Sequence, residues 1–250
     1  METKADARVS HPRDISADDF QIALASQRDP GSFSQLVELS RSAFGFYTSH
    51  FPHTINYPWI VERLEHLPAG SHLLDIGSGV SPVPLFLAGK NLFVDCVDNS
   101  AHVRRLPFAD DWNEWGFFDY RALHPNLASR NCDIARFAPA QKFEAIYSIA
   151  SLAHMPRATR EEALRRCHDW LRPQGLLLLA IDVIPATDFI WNRSAGREIE
   201  TPFQHGMIES VIEQLTRLGF RIDERRVLRT VYKSRTDLLF IAGRKELATR

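Results

Sequence analysis

Cysteine is scarce in this chain. Its three residues, Cys96, Cys132 and Cys167, lie far apart and form no C-x-x-C pair. That excludes a disulfide framework as the source of stability and makes a reducing, cytoplasmic setting the expectation. An excess of one charge is also missing: 30 Lys and Arg stand against 31 Asp and Glu, a formal net charge of −1. Such a balance argues against a mainly electrostatic hold on nucleic acid. No apolar run approaches the roughly 18–20 residues of a membrane span, and Met1 to Asp19 is polar with no signal-peptide core. The histidines show neither H-E-x-x-H nor any other metal spacing, so no metal site is expected. Internal repeats and low-complexity tracts are absent too. What remains, 250 residues at 44% hydrophobic and 24% charged, suits one large globular domain or a domain with an appendage.

The informative stretch runs from His72 to Pro82, His-Leu-Leu-Asp-Ile-Gly-Ser-Gly-Val-Ser-Pro. Ser71 to Ile76 reads as a buried strand, Gly77 and Gly79 as a tight turn, and Val83 to Ala88 as the start of a helix. Strand, glycine turn and helix together bring backbone and unpaired N–H groups close to a ligand. The dinucleotide fingerprint G-x-G-x-x-G is incomplete, because Pro82 stands at its third glycine. Asp75, just before the turn, would repel a pyrophosphate but suits a ligand with a cationic group.

With its acid at Asp75, Leu-Leu-Asp-Ile-Gly-Ser-Gly resembles motif I of the class I S-adenosylmethionine-dependent methyltransferases. Ser81 replaces the third glycine of that family's pattern. The resemblance continues through Asn91–Asp98, similar to the second strand; Asn131–Ile134, similar to the adenine loop; Phe143–Ile149, similar to strand four; and Leu171–Leu179, similar to the Pro–Gly turn and strand five. It covers roughly Val61 to Arg244.

The resemblance implies an α/β, Rossmann-like fold: a seven-stranded, mostly parallel sheet, its last strand antiparallel, sandwiched by helices under an N-terminal helical cap. It also implies S-adenosyl-L-methionine as cofactor. The residues it assigns to that cofactor are Asp75, Gly77, Ser78 and Gly79 in the glycine loop, Asp98 for the ribose with Asn99 beside it, Cys132, Asp133 and Ile134 for the adenine, and Ser148 after strand four. Asp95 competes with Asp98 but lies inside the strand.

Taken in order, Met1 to about Ser16 reads as a tail. A helix follows from Ala17, capped by Ser16-Ala17-Asp18-Asp19, and Pro30-Gly31 breaks it. A second helix is predicted over Ser32–Tyr47 from the spacing of Phe33, Leu36, Val37, Leu39 and Phe44. Tyr47 to Trp59 is dense in rings and broken by Pro52 and Pro58, so it reads as a loop that walls a pocket or anchors the cap; a helix then runs Trp59–Leu67. Residues 1–60 are thus expected to form tail and cap, and 61–250 the main domain. Ala101–Asp111 reads as a helix, with Trp112 beyond it, and Phe117–Leu123 as strand three. Arg157–Leu171 is an amphipathic helix and Leu176–Val183 strand five. Ile184–Gln204 fits neither pattern and reads as an insertion on the ligand side of the sheet. Gly206–Leu218 is helix, and strands six and seven begin near Gly219 and Thr236.

Methyl transfer from a sulfonium needs placement and exclusion of water more than covalent chemistry. A base helps where the acceptor carries a proton. His154 is the candidate, with Asp182, His205, His50 and His53 as further ones; the bland alternative for His154 is a structural role beside the following helix. The acceptor is expected to be a small molecule, with transfer to its oxygen or nitrogen. A nucleic-acid enzyme would want a basic face or Asn-Pro-Pro-Tyr where Ser148-Ile149-Ala150-Ser151 stands, and a protein acceptor stays open. A non-catalytic scaffold would be expected to lack the cofactor acids Asp75 and Asp98, and a nicotinamide oxidoreductase is disfavoured by Pro82. Oligomeric state is not legible.

Overall fold

The computed structural model describes residues 15–48, 50–108, 114–194, 196–229, 231 and 234–247. Nearly all of the expected tail, Trp112 and the last positions of the Ala101–Asp111 helix lie outside them.

Helix α1 spans Ala17–Ala25, and the Ser16 hydroxyl accepts from Asp19 N–H at 3.2 Å. Helix α2 spans Pro30–Phe44. Pro30-Gly31 therefore starts this helix rather than standing before it. Proline at a first helical position gives up an N–H that has no partner there anyway, and the Asp29 carboxylate caps the turn by accepting from Gly31 N–H at 2.8 Å.

Helix α3 spans His53–Leu64, so the expected loop is helical from His53 onward and runs through Pro58. Pro58 has no N–H for the Thr54 carbonyl four residues back. Gln27 repairs the loss from α1's far end, its Nε2 donating to that carbonyl at 3.0 Å. The expected boundary at residue 60 falls inside this helix.

The main sheet has seven strands: β1 His72–Ile76, β2 Phe93–Asp98, β3 Leu127–Asn131, β4 Phe143–Ile149, β5 Leu171–Val183, β6 Phe220–Leu228 and β7 Asp237–Lys245. Their spatial order is β6-β7-β5-β4-β1-β2-β3. The central pairs are parallel, and β7 runs antiparallel to both β5 and β6. The strand that reverses is thus the last in sequence and is inserted between two others.

Helices α4 Val83–Gly89, α5 Arg157–Trp170, α6 Pro202–His205 and α7 Ile208–Arg217 complete the chain. Period-two alternation sends Leu73, Tyr147, Leu178 and Phe240 to one face, where Leu36, Trp59, Ile60, Val61 and Leu87 cover them. Leu74, Ile146, Leu177 and Leu239 go to the other face, beneath Leu164, Cys167, Val211 and Leu215. The cap helices α2 and α3 therefore form one wall of the main core.

Two expectations fail between β2 and β3. Residues 101–108 are not helical; Val103–Arg104 pairs with Phe117–Phe118 in a two-residue parallel ladder. Phe108 packs on Phe44, Phe46 and Phe118, a ring cluster that outweighs local helix propensity. Phe117–Leu123 is not the third strand either: it divides into that ladder and a 3₁₀ turn at Tyr120–Ala122. Leu127–Asn131 takes the sheet position instead.

The stretch after β5 carries a short hairpin, Arg193–Ser194 with Arg197–Glu198, and then α6. Asn192 Nδ2 ties it together by donating to Glu198 Oε1 at 2.9 Å and to the Glu200 carbonyl at 2.7 Å. All three cysteines are free. Among the described residues, no helix is long and apolar enough to cross a membrane, and no group of three or more His, Cys, Asp or Glu could hold a metal.

Candidate active site

Parallel strands end in one direction, and their loops meet at the carboxyl edge of the sheet. Here that edge opens into a cleft of about 1050 Å³. The glycine loop forms its floor. Gly77 and Gly79 have φ of 71° and 47°, the left-handed region that glycine enters without strain. Space is the second requirement: a Cβ on Gly77 would lie 1.8 Å from Ser151 Oγ, and one on Gly79 2.7 Å from the Glu114 carbonyl oxygen.

Tyr120, from the 3₁₀ turn, holds the loop in place of the missing third glycine. Its hydroxyl accepts from Ser81 N–H at 2.7 Å and lies 3.2 Å from both the Gly79 and Ser81 carbonyls. Asp98, at the end of β2, accepts from Gly79 N–H at 3.1 Å and from Ser100 N–H at 2.7 Å. Each carboxylate oxygen keeps a further lone pair for a ligand hydroxyl. After β3, Cys132, Asp133 and Ile134 line the cleft, with Asp133 Oδ1 accepting from Ala135 N–H at 2.7 Å.

Ten of the eleven sequence-predicted site residues line this cleft: Asp75, Gly77, Ser78, Gly79, Asp98, Asn99, Cys132, Asp133, Ile134 and His154. Ser148 does not. It is buried inside β4, and its hydroxyl is spent on the Ile76 carbonyl at 2.9 Å, a brace between strands rather than a ligand contact. Of the further candidates, Asp182, His50 and His53 line the cleft. His205 does not: it is fully buried, with Nδ1 2.9 Å from Glu200 Oε2 and Nε2 3.1 Å from the Ala153 carbonyl. Arg160 also reaches it, so this histidine locks the insertion onto α5. Asp95 stays within β2, facing Leu74 and Ala128 in the flanking strands.

Burial sets the electrostatics. It pushes the Asp75 carboxyl up to about 8; the nearby Asp98 charge adds to this and the Tyr147 hydroxyl opposes it. It pushes Asp182 up to about 7. It pulls His50 and His154 below the usual imidazole range and His53 down to about 3. His154 Nδ1 lies 2.8 Å from the Arg193 carbonyl, which can only accept. The ring is therefore the Nδ1–H tautomer, with its basic lone pair on Nε2.

The residues fit S-adenosylmethionine. The glycine cradle has no room for side chains, Asp98 offers acceptors for hydroxyls, and the Ser78 hydroxyl is buried without a partner. Among the described lining residues Arg235 is the one Lys or Arg, which suits a ligand lacking phosphate.

Residues 74–179 match the family model described as a methyltransferase domain. That segment, rather less than half of the chain, is similar to a methyltransferase domain. The matched segment holds the glycine loop, Asp98, the Cys132–Ile134 loop and His154, while Asp182 and the cap lie outside it.

Comparison with curated proteins returns no match. Solved structures carry the fold at low identity. One is the 1,6-didemethyltoxoflavin-N1-methyltransferase of Burkholderia thailandensis, with bound 1,6-didemethyltoxoflavin and S-adenosylhomocysteine: TM-score 0.58, 16% identity, 93% of this chain and 91% of that one. Another is the phosphoethanolamine N-methyltransferase 2 of Haemonchus contortus, with phosphomonomethylethanolamine and S-adenosylhomocysteine: TM-score 0.57, 15% identity, 91% of this chain and 60% of that one. A third is a putative methyltransferase of Bacillus halodurans: TM-score 0.53, 13% identity, 76% of this chain and 98% of that one.

The candidate site also depends on groups that sequence reasoning missed: Glu114 and Ser151 on its lining and Tyr120 behind the glycine loop. Tyr120 was hidden in a stretch that alternates like a strand. Glu114 and Ser151 act through carbonyl position and close approach, which leave no sequence signal.

Proposed function

We propose that this chain is an S-adenosylmethionine-dependent methyltransferase that moves the methyl group to an oxygen or nitrogen of a small-molecule acceptor lying beneath the N-terminal cap and the 184–204 insertion. One observation carries the reading: a single cleft joins the glycine loop, Asp98 and Cys132–Ile134 to His50, His53, His154, Trp191 and Asp182. At about 1050 Å³ it has room for a cofactor and one small partner. The Burkholderia and Haemonchus enzymes are named for small acceptors, which agrees with it.

S-adenosylmethionine supplies an electrophilic methyl on a sulfonium. The chain supplies the rest. Asp98 would accept from the ribose hydroxyls, and Asp133 from the adenine's exocyclic amine, with Ile134 beside it. Gly77, Ser78 and Gly79 would present backbone to the amino-acid end, with the Asp75 acid at the foot of the loop. His154 is positioned as a base through Nε2, and the cap excludes water.

The test is calorimetric binding of S-adenosylmethionine and S-adenosylhomocysteine to the wild type and to Asp98→Ala. The expected result is micromolar binding that falls tenfold or more in the variant, about 1.4 kcal/mol. Absence of binding by either ligand would overturn the proposal.

A further inference from the structure

Asp182 is a group that cofactor binding leaves unused. It is the penultimate residue of β5, 4% exposed, and it lines the cleft with Oδ1 lacking any hydrogen-bond partner. Burial alone raises its proton affinity; no cation acts to lower it. Asp237, in the adjoining strand, shows what a structural buried acid looks like here. It is 3% exposed and accepts from Ala186 N–H at 2.9 Å and Arg229 Nη1 at 3.2 Å. An acid that is buried, unpaired and open to a cavity is suited to a ligand that supplies its partner.

Position assigns that ligand. Asp98 and Cys132–Ile134 lie at β2 and β3, on one side of the glycine loop, and Asp182 lies on the other. In the order β5-β4-β1, Asp182 sits two strand spacings from the glycine loop's strand, roughly 10 Å. That distance leaves room for a reacting atom between them.

Charge narrows the chemistry. Among the described residues, Asp19, Asp75, Asp98, Glu114, Asp133 and Asp182 line the cleft against one arginine, the exposed Arg235. The imidazoles of His50, His53 and His154 are held toward neutrality by burial. Trp115, Trp191, Phe51 and Tyr57 add ring faces, which attract cations. A carboxylate or phosphate acceptor would find one arginine and no lysine to pair with among the described lining residues. A phenol would have to become an anion in the same field.

Resting on the methyltransferase reading, we propose that the acceptor carries a basic nitrogen and that the Asp182 carboxylate binds its ammonium form and takes its proton. The proton passes from nitrogen to the Asp182 carboxylate, freeing the nitrogen lone pair. The nitrogen–carbon bond forms as the carbon–sulfur bond breaks, and that bond's electron pair stays on sulfur. The product leaves as an N-methylammonium, and Asp182 returns its proton to solvent.

The test uses the full chain saturated with S-adenosylhomocysteine, and a panel of aryl- and alkylamines matched to alcohols, phenols and carboxylates of the same shape. Binding is read by calorimetry and thermal shift, on the wild type and on Asp182→Asn. The expected result is that amines bind and their carboxylate isosteres do not. Asp182→Asn should bind S-adenosylhomocysteine within twofold of wild type and lose tenfold or more in amine affinity. The asparagine keeps the shape and removes an unpaired acid, so the variant should fold. Failure of every amine to bind, preference for carboxylates or phenols, or unchanged amine affinity in the variant would overturn the proposal. Absence of S-adenosylhomocysteine binding to the wild type would instead remove the reading beneath it.

Discussion

Replacing Gly77 by alanine puts a methyl group 1.8 Å from Ser151 Oγ and 2.3 Å from Ser151 Cβ. Two costs follow. Holding a non-glycine residue at φ 71° costs about 1–2 kcal/mol. Forcing the overlap apart costs about 1–3 kcal/mol more, the usual range for overpacking. Gly77→Ala should therefore destabilise the fold by roughly 2–5 kcal/mol and impair S-adenosylhomocysteine binding. The structure also names the remedy. Beyond the Ser151 side chain, the next atom is Ser151 Cα at 3.7 Å, an ordinary contact. Adding Ser151→Gly should remove the steric cost and leave the backbone cost, a coupling of about 1–3 kcal/mol in a double-mutant cycle. Ser151→Ala should not rescue, because its Cβ still lies within overlap. Urea unfolding of the four corners and of the alanine pair measures this, with calorimetry of S-adenosylhomocysteine beside it. Additivity within about 0.5 kcal/mol, or equal rescue by alanine and glycine at 151, would refute the argument.

Two further predictions concern groups that the sequence did not mark or did not rank first. Tyr120→Phe removes the acceptor of the buried Ser81 N–H and should cost about 1–3 kcal/mol; a urea midpoint equal to wild type would show that the phenol does not hold the glycine loop. Asp182 should give ligand-free stability a pH dependence. Its folded pKa, about 7, lies above the unfolded 3.8. Below both values the acid is protonated in either state and carries no penalty. As pH rises through that window the unfolded chain ionises first, so stability falls, by on the order of 4 kcal/mol in all. Asp182→Asn should remove this loss, so its advantage over wild type should grow from pH 5 to pH 7.5 in urea titrations. A constant difference across that range would contradict it.

The elements legible in the sequence share one property: their signal is local. The run His72–Ile76, the turn at Gly77 and Gly79, and the apolar strand Phe143–Ile149 each carry their pattern within a few residues. So does the amphipathic face of Arg157–Trp170. The cleft residues Asp75 and Asp98 were legible because they stand at the ends of apolar strand runs; Asp133 was marked by the family resemblance alone. Where two distant segments settle the outcome, the pattern misled. Pro58 reads as a breaker until Gln27 takes up the Thr54 carbonyl. Leu127–Asn131 has little strand character of its own, yet β2 recruits it as the third strand. Ser148 and His205 have functional residue types, but neighbours from Ile76, Glu200 and Ala153 absorb their polar atoms.

The sequence alone thus determined the glycine-loop strand, most of the other sheet strands and the residue types at the carboxyl edge of the sheet, because hydrophobic period and turn chemistry act over a few residues. Only the tertiary structure decided which polar groups are spent and which are left over. Asp182 and Asp237 are the same residue type, and both are buried. Arg229 and the Ala186 N–H reach one of them, and the other faces the cleft. That difference is made by groups distant in the chain, and partnership across space, unlike periodicity along it, exists only once the chain has folded.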